Sequence, residues 1–193
     1  MTVAHVVRGF GRIMVASRYV RETAATLLAA DTSNDIAVLL AEHTSPPAVL
    51  ALADRPYGAE SVEIVGYPGN GDKLAPTHVR GSLRQDRPTF NGIERLDRAD
   101  LLRMDANTVR QGFSGGPVLN PSGDVVGLIN GQVMRHIAVR GVIVRDTKFV
   151  YGGSTRTINR FLNAEMPRLV PDAGQSPPLG EADKAIVHVI CQN

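Results

Sequence analysis

The chain holds a single cysteine, Cys191, among its 193 residues. A lone thiol excludes an internal disulfide framework and any cysteine-rich zinc site. An excess of one charge is also missing. The net charge is +2, and acidic and basic residues alternate in stretches such as "ERLDRADLLR" (94–103). That pattern reads as a solvated face and excludes the basic stripe of a nucleic-acid binder. No apolar run approaches the ~18 residues of a membrane-spanning helix. The N-terminus lacks a charged region followed by a long apolar one, so the chain as given carries no secretion signal. The expectation is a cytoplasmic protein by default, or a periplasmic or secreted one if the N-terminus is truncated. Self-similarity at a period of about 20–50 residues is absent as well, which argues against a solenoid or propeller.

What remains is an ordinary globular composition, 43% hydrophobic and 21% charged. The length suits one domain with a sizeable core, or one domain built of two similar halves. Nineteen glycines and twelve prolines are spread along the chain rather than clustered. Between them lie short runs rich in Val, Ile, Leu and Thr. These are residues 2–7, 12–17, 23–31, 35–42, 61–68, 77–83, 101–106, 116–120, 124–133 and 138–144. Short strands at regular spacing with turn residues between them predict an all-β sandwich or barrel. "NPSGD" (120–124) predicts a hairpin turn, with Pro121 presetting φ and Gly123 supplying positive φ. Only residues 154–166 predict a helix, capped by Ser154 or Thr155, with Ile158, Phe161 and Leu162 on one stripe. Residues 171–183 read as a linker, and "KAIVHVICQN" (184–193) reads as one added strand or the edge of a further module.

The chemistry concentrates in "QGFSGGPVLN" (111–120). As G-x-S-x-G, the segment matches a nucleophile elbow, which needs a helix directly after the serine. "PVLNPSGDVVGLI" follows instead, with two prolines and a turn, so that context fails. As G-x-S-G-G-P, it calls for a histidine and then an aspartate earlier in the chain. His5 stands in "TVAHVV", and Asp35 immediately precedes the apolar run of "NDIAVLL". A serine hydroxyl is a weak nucleophile and needs a neighbouring imidazole to take its proton. The imidazole in turn needs a buried carboxylate to fix its tautomer. Glycine at 112 lets the Gly112 and Ser114 N–H groups converge as an oxyanion hole. "GYPGNGDK" (66–73) is a turn and not a phosphate loop, because Asp72 stands where the lysine belongs. His43, His78, His136 and His188 lack ligand spacing, so neither a metal nor a cofactor is expected.

"TVAHVV", "NDIAVLL", "VGYPGN" and "VRQGFSGGPVLNPSGDVVGLING" resemble the chymotrypsin-fold serine peptidases, most of all the bacterial HtrA/Deg-type branch without its PDZ domain. The resemblance implies two antiparallel six-stranded β-barrels, with the triad His5, Asp35 and Ser114 in the cleft between them. The peptidase domain would span 1–170, with a first barrel at 1–56, a second at 57–153 and a closing helix at 154–166. Residues 171–193 would be linker and tail. The family has roughly two strands before its histidine motif, so the first barrel is expected to lack them, with the tail as one conceivable filler. Thr108 stands where trypsin-like enzymes hold an aspartate, which does not imply cleavage after Arg or Lys. Thr108, Val109, Ile129 and Gly131 are the expected substrate pocket. The function implied is a serine endopeptidase acting on a protein or peptide. The alternative is a catalytically impaired module that binds extended peptides, or that serves beside a fused or neighbouring effector or sensor module.

Overall fold

Strand formation follows the short apolar runs of the sequence. The structure, a computed structural model, describes residues 1–192 apart from 43, 45, 55–60, 70–73, 85–99, 107, 140–141 and 168–173. For 135–139 and 142–148 it describes the backbone only. His43, most of "ERLDRADLLR" and the end of "GYPGNGDK" therefore lie outside the described residues, as does the side chain of His136.

Six strands close a barrel: β4 (Ser61–Gly66), β5 (Thr77–Arg84), β6 (Leu101–Asp105), β7 (Pro117–Leu119), β8 (Val125–Val139) and β9 (Val142–Ser154). Around it the order is β4-β5-β6-β9-β8-β7. Val62, Ile64, Met104, Val118, Val126 and Val150 fill its interior. The expected hairpin joins β7 to β8. There Asn120 N–H donates to Asp124 O at 2.9 Å, and Gly123 has φ 87°.

The first unit is a four-stranded sheet, ordered β10-β1-β2-β3, where the resemblance implied a six-stranded barrel short of its first strands. Its members are β1 (Arg12–Ala16), β2 (Thr23–Asp31), β3 (Ile36–Ala41) and β10 (His188–Gln192). β10 comes from the C-terminal segment and runs antiparallel to β1, from Arg12↔Gln192 to Ala16↔His188. An unpaired β1 edge would be open to other chains; β10 covers it. The rest of the described tail also packs down. A 3₁₀ helix (Leu179–Ala185) buries Ala182, and Ser176 Oγ accepts the Ala51 N–H at 2.8 Å. Helix α2 (Thr155–Glu165) closes the chain's main body, with Ile158 and Phe161 buried against Val3, Ile36, Val38 and Leu128.

Two expectations need correction. "TVAHVV" is not a strand: after a bridge from Thr2 to Ala37 it winds into a single helical turn, α1 (Ala4–Val7). Ala4 and Val7 then share one side and pack on Ala37, so burial overrides the β preference of valine. Residues 138–144 are not one strand either. β8 ends at Val139, which pairs with Val142 at the start of β9, and β9 continues to Ser154. Gly152 and Gly153 hide that strand, because glycine weakens strand propensity. At Gly152 a Cβ would run into the Leu128 carbonyl, so the close β8–β9 contact requires glycine there.

Candidate active site

Asp31 builds the turn that presents Asp35. Its Oδ1 accepts the N–H groups of Ser33 (2.8 Å) and Asn34 (3.0 Å), and its Oδ2 accepts Asn34 Nδ2 at 2.6 Å. Asp35 follows with φ 56°, a left-handed conformation that aspartate tolerates better than most residues. Its carboxylate reaches the α1 turn twice. The His5 backbone N–H donates to Oδ1 at 2.8 Å, and His5 Nδ1 donates to Oδ2 at 2.7 Å. A carboxylate only accepts, so Nδ1 carries the proton and Nε2 keeps its lone pair.

Sequence reasoning missed Asn130. This buried amide on β8 donates from Nδ2 to Asp35 Oδ2 at 3.0 Å, while its Oδ1 accepts the Gly153 N–H at 2.5 Å. A polar side chain inside the apolar run "GLINGQV" was the available signal, since buried polar groups take partners. The Asp35 bond raises the His5 imidazole above its ordinary pKa, against the effect of burial. Burial draws the Asp35 carboxyl upward, but the bonds from His5 and Asn130 outweigh it and hold it below the usual value.

The nucleophile loop is pegged by Phe113, 1% exposed in the barrel core, between the exposed Gly112 and the half-buried Ser114. Gly66 makes room for the peg, because a Cβ there would lie 2.7 Å from the Phe113 ring. Gly112 (φ 98°) and Gly115 (φ 81°) both need glycine. Tyr67 N–H fixes the Gly112 carbonyl at 3.0 Å, and Gly115 and Gly116 donate to Ile129 O (2.7 Å) and Phe113 O (2.9 Å). Among the described residues the Gly112 and Ser114 N–H groups donate no hydrogen bond, and Ser114 Oγ makes none. His5, Gly112 and Ser114 open on one cleft of about 640 Å³.

The four expected pocket residues are not among those lining that cleft. Val109 and Ile129 are buried in the barrel core, and Thr108 is exposed. Gly131 faces Tyr151, whose Oη would lie 3.0 Å from a Cβ there. Instead the lining is dominated by apolar residues of the 46–52 segment, the barrel, α2 and the C-terminal segment. His78, from the set without ligand spacing, bonds Glu63 through Nδ1 and Asp183 through Nε2, the latter at 2.6 Å. Among the described residues no cluster could hold a metal, and no helix is long and apolar enough to cross a membrane.

A barrel joined to a β-sheet, with a histidine–aspartate pair and a glycine-bound serine on one cleft, defines a class of peptidase folds. Comparison with known proteins agrees. The model of the trypsin-like peptidase domain matches residues 1–128. Serine protease Rv3671c of Mycobacterium tuberculosis strain H37Rv is 33% identical over 135 residues, covering 69% of this chain and 34% of that one. A probable periplasmic serine endoprotease, DegP-like, of Halomonas elongata is 32% identical, covering 69% of this chain and 27% of that one. The crystal structure of the active form of the M. tuberculosis protease superposes with a TM-score of 0.67 at 26% identity, covering 92% of this chain and 70% of that one. The chain belongs to the trypsin-like peptidase family, on its HtrA/Deg-type side. It spans about a third of the length of the curated relatives it matches.

Proposed function

We propose that the chain is a serine endopeptidase that hydrolyses peptide bonds of a protein or peptide substrate through an acyl-enzyme. The observation that carries this reading is that His5, doubly bonded to Asp35, opens with Ser114 on one cleft. Ser114 Oγ attacks the scissile carbonyl carbon while His5 Nε2 takes its proton. Asp35 holds the Nδ1–H tautomer and stabilises the imidazolium, and Asn130 positions Asp35. The Gly112 and Ser114 amides stabilise the oxyanion, a contribution of about 2.7–4 kcal/mol per donor in comparable sites. Collapse of the tetrahedral intermediate breaks the C–N bond, and His5 returns its proton to the leaving amine. Water, deprotonated by His5, then attacks the ester; the C–O bond to Ser114 breaks, His5 gives that proton to Ser114 Oγ, and the acid product leaves.

Labelling with a fluorophosphonate tests this. The chain is expected to be labelled at Ser114 and the Ser114→Ala chain not at all. An unlabelled intact chain would overturn the reading. The four-stranded first sheet favours one second reading, a module that holds an extended peptide in the same cleft without cleaving it. Peptide binding in an unlabelled chain would identify it.

A further inference from the structure

The catalytic reading uses nothing beyond α2, yet the cleft does. Ala185, Val187, His188 and Val189 line the same cavity as His5 and Ser114. We propose that Ala185–Val189, in the C-terminal segment, forms a substrate-contacting wall of the cleft and takes an apolar stretch of the bound peptide. The proposal rests on the reading of the cleft as a peptide site, with or without cleavage.

The segment is built into the site. Buried Tyr67 donates from Oη to Ile186 O at 3.2 Å, and its ring stacks on His188 at 4.8 Å between centroids and 9° between planes. The same residue's N–H holds the Gly112 carbonyl at 3.0 Å. One residue therefore ties the wall, through its side chain, to the nucleophile loop, through its backbone. Ile186 is buried with Val65, Leu119 and Val125, which fixes the segment from beneath, and the bond from His78 to Asp183 fixes it from the side. β10 continues the wall into the sheet and cannot shift without breaking its register with β1. Apart from His188, whose ring stacks on Tyr67, the wall's lining is alanine, isoleucine and valine, and Val6, Leu50 and Leu52 line the same space. Such a surface favours apolar side chains, because a charge brought against it loses water without gaining a partner.

A charge swap reads the contact directly. Val187 lines the cleft and is only partly buried, so it accepts a charged replacement. Peptide arrays are probed with the full chain carrying Ser114→Ala, alone and with Val187→Lys or Val187→Asp. The expected result is selection of apolar stretches by the parent chain. Preference for acidic peptides should rise roughly fivefold in Val187→Lys and fall roughly fivefold in Val187→Asp, the effect of unit charges in contact near a wet surface. Ala185→Lys and Ala185→Glu repeat the test if the first pair fails to fold. Unchanged profiles in folded variants, or no peptide bound by the parent, would overturn the wall. Fluorophosphonate labelling separates the two ideas. A labelled chain with unmoved profiles loses the wall and keeps the catalysis, whereas an unlabelled chain with shifted profiles does the reverse.

Discussion

Asp35 concentrates the electrostatics of the site in one left-handed residue. It accepts from His5 twice and from Asn130 once, so its carboxylate is held ionised while His5 keeps its proton on Nδ1. In Asp35→Asn the amide presents a donor where an acceptor is needed and favours the wrong imidazole tautomer. On the proposed mechanism kcat falls by about 10⁴. The group that raises the His5 pKa is also lost, so the acid limb of the remaining kcat/KM profile moves to lower pH. A pH–rate series on both chains checks the two effects together. Asn130→Ala acts one bond further out. It removes a donor from Asp35 and strands the buried Gly153 N–H, so urea unfolding at neutral pH should show a loss of about 1–3 kcal/mol. The lowered Asp35 pKa contributes stability above the ordinary carboxylate value that disappears as pH falls through the folded one. Asn130→Ala should shrink that acid-side loss.

At the scale of elements, the least local pairing is the most consequential. β10 meets β1 across nearly the whole chain, and Ile186, just before it, sits in the cluster of Val65, Leu119 and Val125. Ile186→Ala leaves a cavity under the cleft wall, expected to cost about 2–5 kcal/mol by urea unfolding. Unfolding should remain a single transition, because the segment packs on both the sheet and the barrel. β1 to β7 were legible because each is a short apolar run with turn residues beside it. α1 was not, since a four-residue turn has no period to read and valine argued for a strand. β9 was hidden by Gly152 and Gly153, whose purpose, a close approach to Leu128 and a bond to Asn130, exists only in the closed barrel. The tail strand could be read locally and the resemblance offered it as a filler of the first barrel, but its register could not be read, because no local pattern encodes a contact between residues 12 and 192. The site divides in the same way: Ser114, His5 and Asp35 announce themselves by local motif, whereas Asn130 acts only through tertiary contact.

Across the whole molecule, two histidines respond to pH in the same direction with opposite consequences. On the proposed mechanism His5 must be neutral to accept the serine proton, so its raised pKa places the rise of activity above the ordinary histidine value near ~6.5. His78 works when charged. As an imidazolium it donates to Glu63 on β4 and to Asp183 on the 3₁₀ helix, joining the tail to the barrel. Burial lowers its pKa, but the two carboxylates outweigh that and leave it raised. Of the nearby cations, Arg80 pairs with Glu63 in the β4–β5 register, and Lys184 bonds Glu181 at 2.6 Å. Neither replaces the proton between Glu63 and Asp183. A group whose folded pKa is raised gives stability that is complete below its unfolded value and lost as pH rises through the folded one. The wild-type melting temperature should therefore decline as pH rises above the ordinary histidine value near ~6.5, as neutral His78 turns a lone pair toward one of its carboxylates. His78→Gln should melt lower than wild type at mildly acidic pH and show a flatter decline, since glutamine has no proton to lose. Because the segment it fastens carries the proposed wall and reaches the nucleophile loop through Tyr67, peptide KM in the wild type should rise as the melting temperature falls. Melting curves and KM from pH 6 to 9, roughly spanning the histidine range, decide the matter: parallel slopes in the two chains would remove His78 as the fastening.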